Sequence, residues 1–111
     1  MADIEVKITS NKDLIQQASN EAIARALEAI GLQAEGYAKM LCPVDTGNLR
    51  NSITHTYDSF ERKAYIGTNV EYAAYVEYGT SKTKAQPYLK PAVTDHADEY
   101  KQMVEYFLKN G

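Results

Sequence analysis

Apolar and polar residues alternate at the start of the chain. Ile4, Val6 and Ile8 are separated by Glu5 and Lys7, a period of two that predicts a half-buried strand over residues 3–9. The period then changes. Ser10 or Asn11 is suited to cap a helix and Asp13 to its electropositive first turn. From there Ile23, Leu27, Ile30, Ala34, Tyr37 and Leu41 recur three and four residues apart, and Pro43 enforces a stop. One helix is predicted over residues 11–41. About thirty residues at 1.5 Å each make roughly 45 Å, long for a domain of this size, whose radius of gyration is about 13 Å. The helix must bend near Gly31 and Gly36 or leave a part projecting, and a projecting apolar stripe calls for a partner.

Residues 52–57 (SITHTY) and 63–68 (KAYIGT) are β-branched and aromatic, separated by DSFER, and predict a β-hairpin. Residues 70–78 follow Asn69, a good N-cap, carry Glu71 in the first turn and precede Gly79, where a C-terminal glycine belongs. Alternation also allows a strand here, but Ala73-Ala74 and the terminal signals favour a short helix. Residues 80–88 are polar, lysine-bearing and bounded by Gly79 and Pro87, hence a loop. A final helix over 89–109 tolerates Pro91 in its first turn and sets Leu89, Ala92, Val93, His96, Ala97, Tyr100, Met103, Val104, Phe107 and Leu108 on one face. The elements amount to a single domain over residues 1–111.

Composition changes this picture in one respect. The hydrophobic fraction of 44%, the charged fraction of 24% and the net charge of −3 are unremarkable, and nothing global favours nucleic acid or an anionic membrane. Nine tyrosines against two phenylalanines and no tryptophan is an unusual balance. A ring with a polar tip suits surfaces that become buried only on assembly, and equally the rim of a small core. The single cysteine, Cys42, excludes an internal disulfide and multi-cysteine zinc sites. No apolar run is long enough to span a membrane and the N-terminal segment lacks a signal-peptide core, so synthesis and use in a cytoplasm are expected.

The sharpest chemical candidate is Asp45-Thr46-Gly47, the tripeptide of aspartic proteases. A chain with one copy would have to dimerise so that two carboxylates share a proton. Its Asp should also leave an apolar strand in a nearly all-β fold, whereas Asp45 follows a helix and a proline. Tyr65-Ile66-Gly67, the nearest thing to the companion motif, comes too soon. The alternative reading is a corner: Pro43 ends the helix, Asp45 accepts backbone hydrogen bonds, Gly47 permits positive φ, and Leu49 turns inward with Arg50 near Asp45. His55 and His96 have no evident acid or nucleophile partner in the sequence, and His96 falls on the apolar face of the last helix. Cys42 at a helix C-terminus is disfavoured as a nucleophile. No phosphate-binding glycine loop, metal set or cofactor motif is present. Lys82, Lys84 and Lys90 make the 80–90 segment locally basic, which fits a solvated loop or contact with an acidic surface or nucleic acid.

The ordered motifs PVDTGNLRNSI and YIGTNVEYAAYVEYGTSKTKAQPYLKPA, over residues 43–92, resemble the small neck and tail-completion proteins of long-tailed bacteriophages, the family named after gene product ten of a lambda-like phage. The resemblance implies an α+β fold: a long N-terminal helix and a C-terminal helix packed on a small, mostly antiparallel sheet with a β-hairpin and a short helix. It implies a non-enzymatic, cofactor-free structural protein of the head–tail junction, assembled in the host cytoplasm. Such proteins commonly act as rings, often hexameric and in many cases formed only on the virion, that contact other connector and tail proteins while DNA passes nearby. By the same analogy, subunit or partner contacts are expected at Asp45, Thr46 and Arg50, at Tyr72, Tyr75 and Tyr78, and at Lys82 and Lys84. Pro43, Gly47, Gly79 and Pro87 are expected to shape the turns.

Overall fold

A computed structural model describes residues 4–7, 16–43 and 47–110, with only the backbone described for 4–7. The main helix begins at Ser19, whose backbone is extended and whose hydroxyl accepts the Ala22 amide at 3.1 Å. Helix α1 then runs Asn20–Leu41 with Glu21 in its first turn and Lys39 in its last, each matched to the helix dipole. Ala22, Ile23, Ala26, Leu27, Ile30, Ala34 and Ala38 are buried, so one stripe faces the core from end to end. Cys42, extended because a proline follows, closes the last turn by donating its amide to the Ala38 carbonyl at 2.9 Å.

These bounds correct the expected helix over 11–41. The serine cap starts α1 at Asn20, giving 22 residues and about 33 Å. Residues 11–15, with the expected cap at Ser10 or Asn11, lie outside the described residues. No break occurs at Gly31 or Gly36. At Gly31 the sheet comes close: a Cβ there would stand 3.0 Å from the His55 Cδ2.

Three antiparallel strands form the sheet, β1 (Ile4–Lys7), β2 (Thr54–Asp58) and β3 (Lys63–Gly67), in the order β1-β3-β2. The register pairs Ile4 with Ile66 and Lys7 with Lys63 on one side of β3, and His55 with Ile66 and Tyr57 with Ala64 on the other. Ala64 and Ile66 are buried. Because side chains alternate across a strand, His55 and Tyr57 share their face, while Thr54 and Thr56 lie exposed on the other.

A short helix α2 (Gly47–Ser52) connects α1 to the sheet and buries Leu49. The expected hairpin strand from 52 therefore starts two residues late. Ser52 donates its hydroxyl to the Leu49 carbonyl at 2.7 Å, ending α2, and also contacts the Thr68 hydroxyl. Gly47 opens this helix without the positive φ expected of it, and nothing lies within 4 Å of its would-be Cβ.

Helix α3 (Ala73–Tyr78) is shorter than the expected 70–78. Thr68, not Asn69, supplies the local cap: its buried hydroxyl accepts the Val70 amide at 3.1 Å, and turns at residues 71–72 lead into the helix. Gly79 ends α3 with φ 78° and ψ 176°, a conformation open essentially to glycine alone.

The expected single helix over 89–109 is two helices, α4 (Leu89–Thr94) and α5 (Ala97–Asn110). Thr94 and Asp95 are weak helix formers, and the Thr94 hydroxyl bonds back to the Lys90 carbonyl at 3.0 Å. The break lets the Tyr100 hydroxyl reach the Ala92 carbonyl at 2.5 Å. His96 leaves the apolar helix face expected of it. It lies in the turn, stacked on Tyr37 with ring centroids 3.6 Å apart, and its Nδ1 is 3.5 Å from Glu99. The fold is α+β: α1 packs on the antiparallel sheet, α4 and α5 pack against α1, and α4 also meets β1.

A Cβ on Gly79 would stand 2.7 Å from the Ala85 nitrogen and 2.9 Å from the Thr83 oxygen, both rigid backbone atoms. Gly79→Ala is expected to cost roughly 2–4 kcal/mol, whereas Gly36→Ala, with open space around the new methyl, should stabilise by up to about 1 kcal/mol. Thermal unfolding of the two variants checks both signs.

Candidate functional site

The segment after α3 turns back on itself. The Thr80 amide donates to the Thr83 carbonyl at 2.9 Å, and the Thr80 hydroxyl accepts the Lys82 and Thr83 amides at 3.2 and 3.0 Å. The Gln86 amide then donates to the Val76 carbonyl at 2.8 Å. The stretch read as an open polar loop is thus a hydrogen-bonded turn laid against α3.

What holds it there is Glu77. Helix α4 starts at Leu89 with Tyr88 in the capping position, which offers no side-chain cap, and no Ser, Thr, Asp or Asn stands directly before it. Its amides are satisfied from a distance. Glu77 Oε1 accepts from the Tyr88 and Leu89 amides at 3.0 and 2.8 Å, and Oε2 from the Lys90 amide at 3.1 Å. The residue is 2% exposed, and a carboxylate at a helix N-terminus is favoured by the dipole as well as by its three donors. Tyr88, fully buried beside it, donates its hydroxyl to the Ala73 carbonyl at 3.2 Å; burial raises its pKa above that of an ordinary tyrosine.

Between α3, the turn and the end of α1 lies a groove of about 230 Å³ lined by Pro43, Tyr72, Tyr75, Val76, Thr80, Thr83, Lys84 and Gln86. Four residues singled out from the sequence, Pro43, Tyr72, Tyr75 and Lys84, meet there. Tyr72 is half-buried and packs against the core. Tyr75 and Tyr78, one turn apart on α3, are 63% and 67% exposed. Tyr75 is therefore surface, not core. Lys82, Lys90 and Pro87 are exposed outside the groove. Arg50 is half-buried on α2, and its charge acts on Cys42. Burial dominates at that cysteine and raises the thiol pKa, which leaves the protonated, unreactive form at neutral pH. Asp45 and Thr46, with the expected Asp45–Arg50 pair, lie outside the described residues.

His55, which showed no acid partner in the sequence, has two. Its Nδ1 is 2.7 Å from Glu35 Oε1 and its Nε2 is 2.8 Å from Glu28 Oε1. Glu28 and Glu35 are seven residues apart, two turns on one face of α1, flanking the bare Gly31 that admits the imidazole. That i, i+7 spacing around a glycine was the available signal, but only the packing of β2 on α1 reveals the third member. Burial alone would lower the His55 pKa; the hydrogen bonds to Glu35 and Glu28 more than offset it, and the net shift is upward. Burial likewise raises Glu35, but His55 and Lys39 bring it below the ordinary value. Both ring nitrogens are engaged, so the imidazole serves as a clamp between sheet and helix. Among the described residues no group of three His, Cys, Asp or Glu is placed to hold a metal ion, and no helix is long and apolar enough to cross a membrane.

Two predictions follow from these geometries. Glu77→Ala strands three amides at the start of α4 and is expected to cost about 2–3 kcal/mol, lowering the melting temperature by more than about 8 °C. For the His55 clamp, the raised histidine pKa gives stability that is complete below pH 6.5 and fades as pH rises through the folded value. The lowered Glu35 pKa gives stability that is complete above pH 4.5 and fades as pH falls through its folded value. The penalty of His55→Gln in urea unfolding should accordingly be larger at pH 5.5 than at pH 8.5, and equal penalties would contradict the clamp.

The family described as "Bacteriophage HK97-gp10, putative tail-component" matches residues 6–79, which include α1, the hairpin and α3 with its aromatic pair. Curated proteins and solved structures gave no significant match. The match covers well over half of the sequence, and the chain belongs to the HK97-gp10-like family of bacteriophage tail components.

Proposed function

We propose that the protein is a structural, non-enzymatic subunit of the head–tail junction of a long-tailed phage or prophage, acting in neck formation or tail completion by assembling into a ring. The observation that carries this reading is the pair Tyr75 and Tyr78, two large aromatic side chains left mostly exposed on a helix that Glu77 anchors from its other face. Exposed tyrosines on a rigid support, beside an apolar groove rimmed by Lys84, have the composition of a surface that becomes covered on assembly. The family supports a tail role. On this reading the subunit contacts use Tyr72, Tyr75, Tyr78, Lys82 and Lys84, with Asp45, Thr46 and Arg50 at the neighbouring corner. The partners are further copies and the adjoining connector and tail proteins, with DNA passing through the junction without specific binding. The protein is made and assembled in the bacterial cytoplasm and resides in the virion.

The protease alternative needs a strand-borne Asp45 in an all-β setting, whereas Gly47 of its tripeptide opens a helix and the fold is α+β. The lysines 82, 84 and 90 are exposed, but the groove beside them is mostly apolar, and local charge alone does not favour nucleic acid.

The test is assembly. Concentrated protein, alone and mixed with tails that lack it, is expected to form rings or end-caps in electron micrographs. The double variant Tyr75→Ala/Tyr78→Ala should keep its melting temperature within about 2 °C, since both rings are exposed, yet lose at least tenfold in association. Unchanged association of the double variant would remove α3 from the interface.

A further inference from the structure

The β2–β3 hairpin ends in an unusual display. Four residues, Ser59–Arg62, join Asp58 to Lys63, and Phe60 at the tip is 90% exposed, more than any other large apolar residue described. Its position is built. Asp58 Oδ1 accepts the Phe60 amide at 3.0 Å and the Glu61 amide at 3.1 Å, and Arg62 closes the turn with φ 58°, the one positive φ of a non-glycine residue described. A phenylalanine held in water on a constrained turn loses apolar burial that a partner would restore.

The same chain carries a receptor of fitting size and charge. A cavity of about 150 Å³ is enough to hold a benzene ring; the groove of Pro43, Tyr72, Tyr75 and Val76 measures about 230 Å³ and has Lys84 on its wall, with Lys82 in the same turn. Glu61 adjoins Phe60 and is exposed, its present partner, Lys63, at 3.7 Å. Within one chain the two features cannot meet. β2 packs its His55 on Gly31 and its Tyr57 beside Ala24, Arg25 and Glu28, so the hairpin tip points toward the start of α1. Pro43 places the groove just past the end of α1, a helix of about 33 Å.

From this separation we infer that Phe60 of one copy inserts into the Pro43–Tyr72–Tyr75 groove of a second copy, with Glu61 facing Lys84. Knob and socket are different surfaces, so the contact is head-to-tail, the kind that propagates and closes into a ring. The inference rests on the ring reading above and names its interface.

Glu61→Cys and Lys84→Cys proteins, each with the native Cys42 buried, are mixed under mild oxidation, alone and with tails, and compared with each variant by itself. A disulfide-linked pair from the mixture only is expected, and Phe60→Ala should keep its melting temperature but associate at least tenfold more weakly. Self-linking of either variant would show a two-fold contact and overturn the inference. So would rings that form normally from Phe60→Ala while the mixture gives no link, an outcome that leaves the ring reading standing. No assembly of the wild-type protein in either setting, with no link, would overturn both.

Discussion

Three backbone amides at the start of α4 have no cap of their own, and a buried glutamate from α3 supplies it. Around this contact the second half of the molecule is arranged. With Glu77 fixed by the Tyr88, Leu89 and Lys90 amides, α3 cannot rotate, and its outer face must present Tyr75 and Tyr78. The residues between must return within reach, so the Thr80–Thr83 turn closes tightly and Gly79 takes a backbone conformation that a side chain would forbid. Burying a carboxylate is costly unless its lone pairs are filled; here two oxygens take three donors, which converts the cost into a unique register between helix and loop.

The first half is governed by α1 and what it admits. Alanines along the buried stripe let the sheet and the C-terminal helices approach closely, and Gly31 lets the His55 ring lie against the helix between Glu28 and Glu35. On the other side of α1, Tyr37 stacks on His96 and donates its hydroxyl to Glu99 at 2.6 Å, which ties the α4–α5 turn to the same helix. That hydrogen bond, more than burial, raises the Tyr37 pKa and keeps the phenol protonated. The helix thus acts as a spine to which sheet and C-terminal helices are each fastened by a polar pair at the margin of an apolar core.

A scaffold fastened in this way suits a part whose work is to be held by neighbours. Its most exposed aromatic residues sit on short, hydrogen-bonded supports, so little order has to be gained when they are covered. That distinguishes this surface from a pliable loop that folds only on contact.

Local pattern was enough to read most element types, because each rests on neighbours in the chain: the three-four spacing of α1, the proline that stops it, the β-branched hairpin, the glycine after α3; the short α2, read as a corner, was the exception. The resemblance carried by residues 43–92 was legible as well, and pointed to the same family as the match over 6–79. Boundaries were misread where a side chain chose a competing partner. Ser19 and Ser52 bond to nearby backbone and shift helix ends, and Tyr100 reaches the Ala92 carbonyl across a break in what looked like one helix. Glu77 and His55 could not be placed at all from the chain, since their partners lie 11 to 13 and 20 to 27 residues away and no local periodicity encodes a long-range hydrogen bond. The sequence by itself determined the family and most of the elements in their order, but neither the short helix at Gly47–Ser52 nor the break between α4 and α5. Only the tertiary structure decided which tyrosines face water, which acids are buried, and that Pro43, Tyr72, Tyr75 and Lys84 form one groove, because each of these depends on how separate elements pack.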